Sequence, residues 1–285
     1  MSQLEWSPTT EADVPALVRL GAACLARDGG LPDLAESDHM RSNFVTDTAI
    51  CGRDELGDIV AAAAIGLDAS GGRTATGLID PAAMGQGLGQ EIATWVAGRT
   101  GGSVRFVMDS MSPEAEELFA ELGLHRIFGE AVMHHSLKHV PFVRRPDGIV
   151  TLPFTDDTSE AFHHAYAASF ADQPGYDAGR AQAWGRWLRE QRGFQPEDSR
   201  VAMDLSGHVA GFVTVSDGWI EEVGVVPQWR GRRLGAHLVA RTLTAISRHE
   251  TQAAWLAVGC DNPARSLYER LGFRSRGTRA LYEVM

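Results

Sequence analysis

Apolar and polar residues alternate along residues 200–226 with the period of two that is typical of β-strands. This segment, RVAMDLSGHVAGFVTVSDGWIEEVGVV, contains SG and DG turn signals that divide it into three strands. Beyond it, AHLVARTLTAISRH (236–249) has apolar residues at helical spacing, AAWLAVGC (253–260) is typical of a buried strand, and PARSLYERLG (263–272) predicts a helix that ends at Gly272. The second half therefore predicts antiparallel strands followed by a helix, a strand, a helix and a final strand.

The first half predicts the same order, with strands in AICGRDELGDIVAAAAIGLD (49–68) and TATGLID (74–80). The segment LIDPAAMGQGLG (78–89) also resembles VVPQWRGRRLG (225–235). In both, an apolar run ends at a proline, a glycine-bearing turn follows, and a helical pattern begins directly afterwards.

A second pair of segments matches at nearly the same offset. SPEAEELFAELGL aligns with DNPARSLYERLGF, so that Phe119 takes the place of Tyr268. The offset is 149 residues at these aromatics and 146 residues between Pro81 and Pro227. Two independent matches at nearly one offset indicate an internal duplication of a domain.

The boundary between the two copies is expected in KHVPFVRRPDGIVT (138–151), where two prolines, a basic cluster and a PDG turn interrupt the periodic segments. We predict a first domain at residues 1–140, a linker at 141–150 and a second domain at 151–285. Each domain is expected to be α/β (α+β), with a mixed β-sheet flanked by helices.

Composition narrows the range of partners and compartments. The 285 residues are 44% hydrophobic and carry a formal net charge of −11, which argues against nucleic acid or an anionic membrane as a partner. Cys24, Cys51 and Cys260 are odd in number and widely spaced, so neither a disulfide framework nor a metal site is expected. The N-terminal segment carries acids where a signal peptide needs bases, and we expect a cytoplasmic protein.

Positive charge gathers at one turn of this acidic chain, where Arg230, Arg232 and Arg233 surround Gly231. A strand that ends in a glycine turn and then begins a helix presents backbone N–H groups with no intrahelical partner. Such a turn binds anions, and an arginine at its edge adds a charge-assisted contact. The turn is therefore expected to hold a phosphate group.

Two segments of the second half resemble a known family, the GNAT superfamily of N-acyltransferases. VGVVPQWRGRRLG (223–235) is similar to its acyl-CoA-binding motif, V-x-P-x-x-[QR]-x-x-G-x-[GA], and DNPARSLYERLGF (261–273) is similar to its companion motif, N-x-x-A-x-x-L-Y-x-x-x-G-F. One departure is Arg233, which stands where the family usually has its first glycine. This arginine should crowd the pyrophosphate or add a cation to it.

The resemblance implies acetyl-CoA as cosubstrate and assigns residues to it. The main chain of Val223, Gly224 and Val225 would pair with the pantetheine arm, Asn262 would face that arm, and the Tyr268 phenol would protonate the departing sulfur. The pyrophosphate would be held by Arg230, Gly231, Arg232, Arg233, Leu234, Gly235 and Ala236.

The amine must lose a proton, and two adjacent acids are candidate bases. Glu221 and Glu222 point to opposite faces of a strand, so one of them can face the cleft. By resemblance, ASFADQPGYDAGRAQAW (168–184) forms the lip of the acceptor site. Its candidate substrate-binding residues are Asp172, Tyr176 and Asp177, whereas His163, His164, Trp184 and Trp187 are interpreted as core or rim residues.

The first copy lacks the corresponding chemistry. Met84 stands in place of Arg230, Pro113 in place of Asn262, and Phe119 cannot donate a proton as Tyr268 can. Capture of a pyrophosphate by the backbone could survive, because it depends on N–H groups and glycine. The residues that could still hold the coenzyme there are Leu78, Ile79, Gly85, Gln86, Gly87, Leu88 and Gly89.

The tandem architecture resembles mycothiol synthases and related actinobacterial N-acetyltransferases, including some that act in antibiotic biosynthesis or self-resistance. We therefore expect transfer of an acetyl group to a primary amine of a small molecule. Three alternatives stay open: acetylation of a cysteinyl amine as in mycothiol synthases, a non-catalytic acyl-CoA-binding protein, and acetylation of protein amines. The third is less favoured because it leaves half of the chain unexplained. Sequence alone leaves the amine, the acyl length and the oligomeric state open.

Overall fold

The chain divides into two compact units. The computed structural model describes residues 4–101, 103–172, 176, 178–249 and 253–284. Unit 1 comprises Met1–Val132, Gly259–Asp261 and Ser275–Met285, and unit 2 comprises Met133–Val258 and Asn262–Arg274. Among the described residues, no helix is long and apolar enough to cross a membrane.

Unit 1 is built on a mixed sheet. Its helices and strands are β1 (Glu5–Pro8), α1 (Val14–Asp28), α2 (Ser37–Phe44), β2 (Ala49–Arg53), β3 (Ile59–Leu67), β4 (Arg73–Ile79), α3 (Leu88–Thr100), β5 (Arg105–Met108), α4 (Pro113–Glu121), β6 (Leu124–His135) and, from the end of the chain, β12 (Arg274–Val284). The strand order is β1-β2-β3-β4-β5-β12-β6.

Helices cover both faces of this sheet, as the run of alanines on β3 shows. Ala61 and Ala63 belong to a core with residues of α3 and α4, whereas Ala62 and Ala64 belong to a core with residues of α1 and α2. Because successive side chains of a strand point to opposite faces, one short strand contributes to both cores. Its small side chains leave room for helices to pack closely on either side.

Unit 2 repeats this succession of elements. Its helices and strands are β7 (Ile149–Pro153), α5 (Ser159–Phe170), α6 (Ala178–Glu190), β8 (Arg200–Asp204), β9 (Val209–Ser216), β10 (Trp219–Val225), α7 (Leu234–Ile246), β11 (Ala254–Gly259) and α8 (Arg265–Arg270). Its strand order is β11-β10-β9-β8-β7. The three antiparallel strands, helix, strand and helix predicted from residue 200 onward are confirmed.

The final strand lies in a different unit from the one that the sequence suggested. Residues 275–285 fall in the predicted second domain, but β12 pairs antiparallel with β5, with Ala280 opposite Met108 and Tyr282 opposite Phe106. The end of β6, residues 133–135, in turn belongs to unit 2. The structural division therefore differs from the predicted boundaries because strand pairing joins segments that are far apart in sequence.

In each unit, two neighbouring parallel strands pair over only one or two residues and then diverge. β4 and β5 pair at Thr74 with Arg105 and at Ala75 with Phe106, and β10 and β11 pair at Trp219 with Trp255. The carboxyl-terminal parts of β4 and β10 are thus free of the neighbouring parallel strand among the described residues. A gap between diverging strand ends is where an α/β sheet admits a ligand.

Candidate active site

The glycine turns of the two units have nearly the same backbone conformation. Met84 has φ −62° and ψ 150°, and Arg230 has φ −63° and ψ 152°. The next position is Gly85 or Gly231, with φ of 76° and 73°. Both turns lead directly into a helix, α3 or α7, whose first N–H groups have no intrahelical partner. Each unit therefore has a turn of the anion-binding type.

Arg233 adopts the conformation that its glycine counterpart adopts. It caps α7 with φ 65° and ψ 12°, whereas Gly87 caps α3 with φ 85° and ψ 2°. The left-handed region costs a residue with a Cβ roughly 1–2 kcal/mol. Unit 2 therefore accepts backbone strain at the turn where unit 1 has glycine.

The Arg230 guanidinium contacts groups of unit 2 on three sides. Its Nη1 and Nη2 donate to the two carboxylate oxygens of Asp172, Nη2 also donates to the Ser169 carbonyl at 2.8 Å, and Nε donates to the Val225 carbonyl at 3.0 Å. The hydrogen bond from Arg230 holds the pKa of Asp172 below its usual value. One predicted phosphate ligand and one predicted substrate-binding residue are thus paired with each other.

Arg232, a second arginine of the turn, packs on an aromatic ring. Its guanidinium lies 5.0 Å from the ring centroid of Trp229. Both Arg232 and Arg233 are exposed. They leave cationic groups at the surface beside the N-terminus of α7, where the helix dipole also favours an anion. The predicted residues Gly231, Leu234, Gly235 and Ala236 form the rest of this turn and the start of α7.

At the end of β10, Gly224 permits close packing of α5. A Cβ at this position would lie 2.3 Å from the Phe212 ring and 2.7 Å from the Ser169 Cβ. Gly224 pairs with Phe212 and Val223 with Val213 on β9. The main chain of Val223, Gly224 and Val225 is therefore held by β9 along one edge, and its other edge lies at the gap beside β11.

The two candidate bases differ in their surroundings because β10 has a bulge. Its register with β9 shifts between Ile220 and Glu222, so the exposed Glu221 is the extra residue. The half-buried Glu222 accepts a hydrogen bond from Trp184 Nε1 at 2.6 Å. Trp184 is buried and stacks on Tyr166, with 4.6 Å between ring centroids. Of the two acids, Glu222 therefore faces α6.

From the sequence, Trp184 is expected only to be a core or rim residue. The Trp184 indole packs in the aromatic core and also donates to the carboxylate of Glu222, a candidate catalytic residue. Trp184 is therefore part of both the core and the candidate site. A buried tryptophan N–H requires a hydrogen-bond acceptor, and this requirement is the signal that could have pointed to the contact. The acceptor itself lies 38 residues along the chain and could not be read from local pattern.

Tyr268 lies on α8 and is 9% exposed. Its ring makes an edge contact with Phe273, with 5.9 Å between centroids, and burial raises the pKa of its phenol to about 12. The corresponding Phe119 of unit 1 is also buried, and its centroid lies 4.8 Å from that of Tyr282. Both positions hold packed rings, but only Tyr268 has a proton to donate.

The companion motif begins with a capped turn in both units. The Asn262 Oδ1 accepts the N–H of Ala264 at 2.9 Å, and the Ser112 Oγ accepts the N–H of Ala115 at 3.1 Å. The two side chains have the same local role, although the sequence alignment set Asn262 against Pro113. Unit 1 thus retains the turn while its neighbouring proline begins α4.

A cavity of about 330 Å³ lies in the gap between β4 and β5 of unit 1. A methyl group at Gly85 or Gly87 would meet no other atom within 4 Å, so the turn is open at these positions. Inside the cavity, Cys24 Sγ donates to the Ile79 carbonyl at 3.4 Å, and burial raises the pKa of this thiol to about 11. Six of the predicted residues line the cavity: Leu78, Ile79, Gly85, Gly87, Leu88 and Gly89.

Gln86 and Tyr176 are two further predicted residues that the structure describes. Gln86 lines a neighbouring groove together with Trp6 and Trp95. Tyr176 is half-buried on the segment between α5 and α6. Asp177 lies outside the described residues.

Comparison with known proteins finds a family match over part of the chain and relatives over most of it. Residues 157–273 match the acetyltransferase (GNAT) family. The mycothiol acetyltransferase of Clavibacter michiganensis subsp. michiganensis is 28% identical over 243 residues, covering 77% of this chain and 75% of that protein. The mycothiol acetyltransferase of Acidothermus cellulolyticus is 28% identical over 229 residues, covering 72% and 69%.

Solved structures agree in fold. A GCN5-related N-acetyltransferase from Sphaerobacter thermophilus superposes with a TM-score of 0.75 at 24% identity, covering 98% of this chain and 94% of that one. A tandem GNAT protein from the clavulanic acid biosynthesis pathway has a TM-score of 0.60 at 19% identity, covering 98% of both chains. The predicted α/β class with mixed sheets is confirmed. The comparisons support an N-acetyltransferase in which residues 157–273, within the second half of the chain, are similar to the GNAT acetyltransferases.

Proposed function

We propose that unit 2 transfers an acetyl group from acetyl-CoA to a primary amine of a small molecule. The observation that carries this proposal is the presence in unit 2 of a buried phenol, Tyr268, and a carboxylate, Glu222, on elements that also carry the two GNAT motifs. Unit 1 has Phe119 at the position of the phenol. A proton donor and a proton acceptor are what acyl transfer from a thioester to an amine requires.

In the proposed reaction, acetyl-CoA supplies the activated acetyl group as a thioester. Glu222, directly or through water, takes the proton that the amine nitrogen loses as the new C–N bond forms. Tyr268 gives its proton to the sulfur as the C–S bond breaks, and is reprotonated from solvent. The main chain at Val223–Val225 orients the thioester carbonyl, and N–H groups of the turn that follows hold the pyrophosphate.

The class of the acceptor rests on two lines of support. The formal charge of −11 disfavours polyanionic acceptors, and an amine cation is attracted to such a protein. On the proposed acceptor side, Trp184 contacts both Glu222 and Tyr166. A carboxylate and aromatic rings therefore lie next to each other there. We infer an amine with an apolar or ring-shaped body, of the kind used in actinobacterial secondary metabolism such as antibiotic biosynthesis or self-resistance.

A second candidate is acetylation of a cysteinyl amine, as in mycothiol biosynthesis. It is favoured by two mycothiol acetyltransferases that are each 28% identical and align with more than two thirds of this chain. The two candidates share the coenzyme and the chemistry and differ only in the body of the amine. A comparison of cysteinyl and non-cysteinyl amines therefore distinguishes them.

For unit 1, we propose coenzyme binding without turnover. The 330 Å³ cavity between β4 and β5 is continuous with the open turn at Gly85 and Gly87, and N–H groups at a helix N-terminus suit a phosphate. The Cys24 thiol is no substitute nucleophile, because a pKa of about 11 keeps it protonated near neutral pH. Phe119 leaves this unit without the proton donor of unit 2.

The test is release of free thiol when the full chain is mixed with acetyl-CoA and a panel of amines that includes cysteinyl amines. Mass spectrometry should find one product 42 Da heavier than its amine, as replacement of N–H by N-acetyl requires. Tyr268→Phe measures the background. Thiol release from no amine in the panel, with acetyl-CoA nevertheless bound, would favour the non-catalytic binding protein. Acetylation of peptides alone would favour a protein substrate.

A further inference from the structure

We propose that Arg230 is a positioning residue for the amine site, and that it acts through Asp172 rather than as a ligand of the coenzyme pyrophosphate. The inference rests on the function proposed for unit 2. It replaces the role that the sequence motif suggested for this arginine. Arg230 fastens the carboxyl-terminal end of α5 and the Asp172 carboxylate to the end of β10.

Most N–H donors of Arg230 are already used within unit 2. A guanidinium has five N–H groups. Four of them donate within unit 2: one to the Val225 carbonyl, one to the Ser169 carbonyl and two to the Asp172 carboxylate. One N–H group remains for any ligand, and the positive charge is already paired with a carboxylate. A residue built to receive a pyrophosphate would keep its paired donors free.

The acceptors of Arg230 lie at the ends of α5 and β10 and just beyond α5. α5 ends at Phe170, so the Ser169 carbonyl is among the last four of the helix, which have no intrahelical partner. A cation at a helix C-terminus is also favoured by the helix dipole. Arg230 thus caps α5, and the carboxylate of Asp172, two residues beyond the end of the helix, binds the same guanidinium.

The turn of unit 1 adopts the same backbone conformation without an arginine. Met84 has the same φ and ψ as Arg230 to within about 2°, so the turn folds without an arginine. In unit 1 the carbonyl that corresponds to Val225 is that of Ile79, and the Cys24 thiol donates to it instead. The arginine is therefore an addition of unit 2, and its contacts go to α5 and the residue after it.

The end of α5 adjoins the proposed acceptor side of the site. Ser169 packs on Gly224, where a Cβ would lie 2.8 Å from its Oγ, and α6, the next helix, carries Trp184. Trp184 donates to Glu222 at 2.6 Å. A shift of the end of α5 would therefore disturb groups that meet the amine before it disturbed the N–H groups of the turn.

The experiment compares Arg230→Met, Arg230→Lys and Asp172→Asn with the wild-type full chain. Methionine is the side chain that unit 1 has at this position, and lysine keeps the charge but cannot form the paired contact. Arg144→Met is the matched control, because it removes an exposed ion pair, with Asp147, elsewhere in unit 2. Thermal unfolding of each variant verifies that it is folded.

For an amine that the panel identifies, we expect all three variants to raise its KM roughly threefold to tenfold, the scale of one or two lost hydrogen bonds. The KM for acetyl-CoA should stay within about twofold. The double variant Arg230→Met with Asp172→Asn should be no worse than Arg230→Met alone, because the two residues act as one contact. Arg144→Met should change neither constant.

Hydrogen exchange provides a measurement that needs no amine. Peptides covering residues 159–172 should exchange faster in the three variants than in the wild type and in Arg144→Met. Unchanged exchange would overturn the fastening role, whatever the outcome of the amine panel. A tenfold rise in the KM for acetyl-CoA in Arg230→Met, with Arg230→Lys and Asp172→Asn near wild type, would assign the arginine to the pyrophosphate instead.

Discussion

Tyr268 and Phe119 differ by one hydroxyl group at corresponding positions, and the proposed mechanism depends on that group. Tyr268→Phe should lower kcat by roughly tenfold to a thousandfold, the scale of a lost general acid. The KM for acetyl-CoA should change little, because the ring and its contact with Phe273 remain. Steady-state kinetics check this. Loss of activity in Phe119→Ala with retention in Tyr268→Phe would place the reaction in the other unit.

The same hydroxyl predicts a pH effect on stability. Burial raises the pKa of Tyr268 from 10.0 to about 12, so the folded state binds the phenolic proton more tightly than the unfolded state does. This contribution is fully present below pH 10 and is lost as the pH rises toward 12. Denaturant titrations between pH 9 and 12 should show a smaller loss of stability in Tyr268→Phe than in the wild type, and equal losses would contradict the raised pKa.

The candidate base predicts a second pH effect, on the rate. An amine must be deprotonated before or during attack, so kcat/KM should rise with pH through a limb that shifts in Glu222→Gln. Glu221→Gln is the matched control, because this neighbouring acid is exposed at the bulge and does not accept the Trp184 hydrogen bond. Unchanged profiles in both variants would remove a strand carboxylate from the mechanism.

Arg233 offers a test of backbone strain. Replacement by glycine relieves about 1–2 kcal/mol of left-handed strain but costs about 0.5–1 kcal/mol through the greater entropy of the unfolded chain, so Arg233→Gly should raise the free energy of unfolding by up to about 1.5 kcal/mol. Gly87→Ala, at the same position of unit 1, should lose stability, since a Cβ there has space but the same unfavourable φ. Urea unfolding measures both. A stability loss in Arg233→Gly would mean that the arginine side chain outweighs its strain.

At the scale of helices and strands, the sequence predicts the elements themselves better than it predicts which strands pair. The helix α7, the strand β11 and the helix α8 follow from hydrophobic period and turn residues, and the sequence places them correctly. The bulge at Glu221 and the destination of β12 depend on which strands pair, and pairing is set by packing across the sheet. Local pattern carries little information about either.

In the candidate site, too, features set by local sequence were predictable, whereas contacts between distant residues were not. The turn and the companion motif are contiguous in sequence, so their glycines and Tyr268 could be named from spacing. The contacts of Arg230 with Asp172 and of Trp184 with Glu222 join residues 58 and 38 positions apart. Arginine is a common phosphate ligand, so the sequence suggests that role for Arg230. The structure is needed to reveal that its guanidinium is already paired with the Asp172 carboxylate.

For the whole molecule, the proposal of a silent coenzyme site in unit 1 predicts the number of ligands bound. A chain with a net charge of −11 repels the anionic coenzyme at long range, so affinity depends on local cations and N–H groups. Unit 2 has Arg232 and Arg233 at its turn, whereas unit 1 has the neutral Gln86 and Gly87 at the corresponding positions. Calorimetry of the full chain with CoA should therefore show two sites, of which the weaker belongs to unit 1.

Gln86 allows that assignment to be tested with a matched pair of variants, because it is exposed and lies between the two open glycines of the turn. Gln86→Arg introduces the residue that unit 2 has at this position and should tighten the weaker site several-fold. Gln86→Glu should weaken the same site by a similar factor, since a charge beside a phosphate changes affinity by about 1 kcal/mol at moderate salt. Both effects should shrink as the salt concentration rises, and neither substitution should change the affinity of the tighter site. A single site, or two sites that respond alike to the two substitutions, would show that the cavity and glycines of unit 1 do not hold the coenzyme.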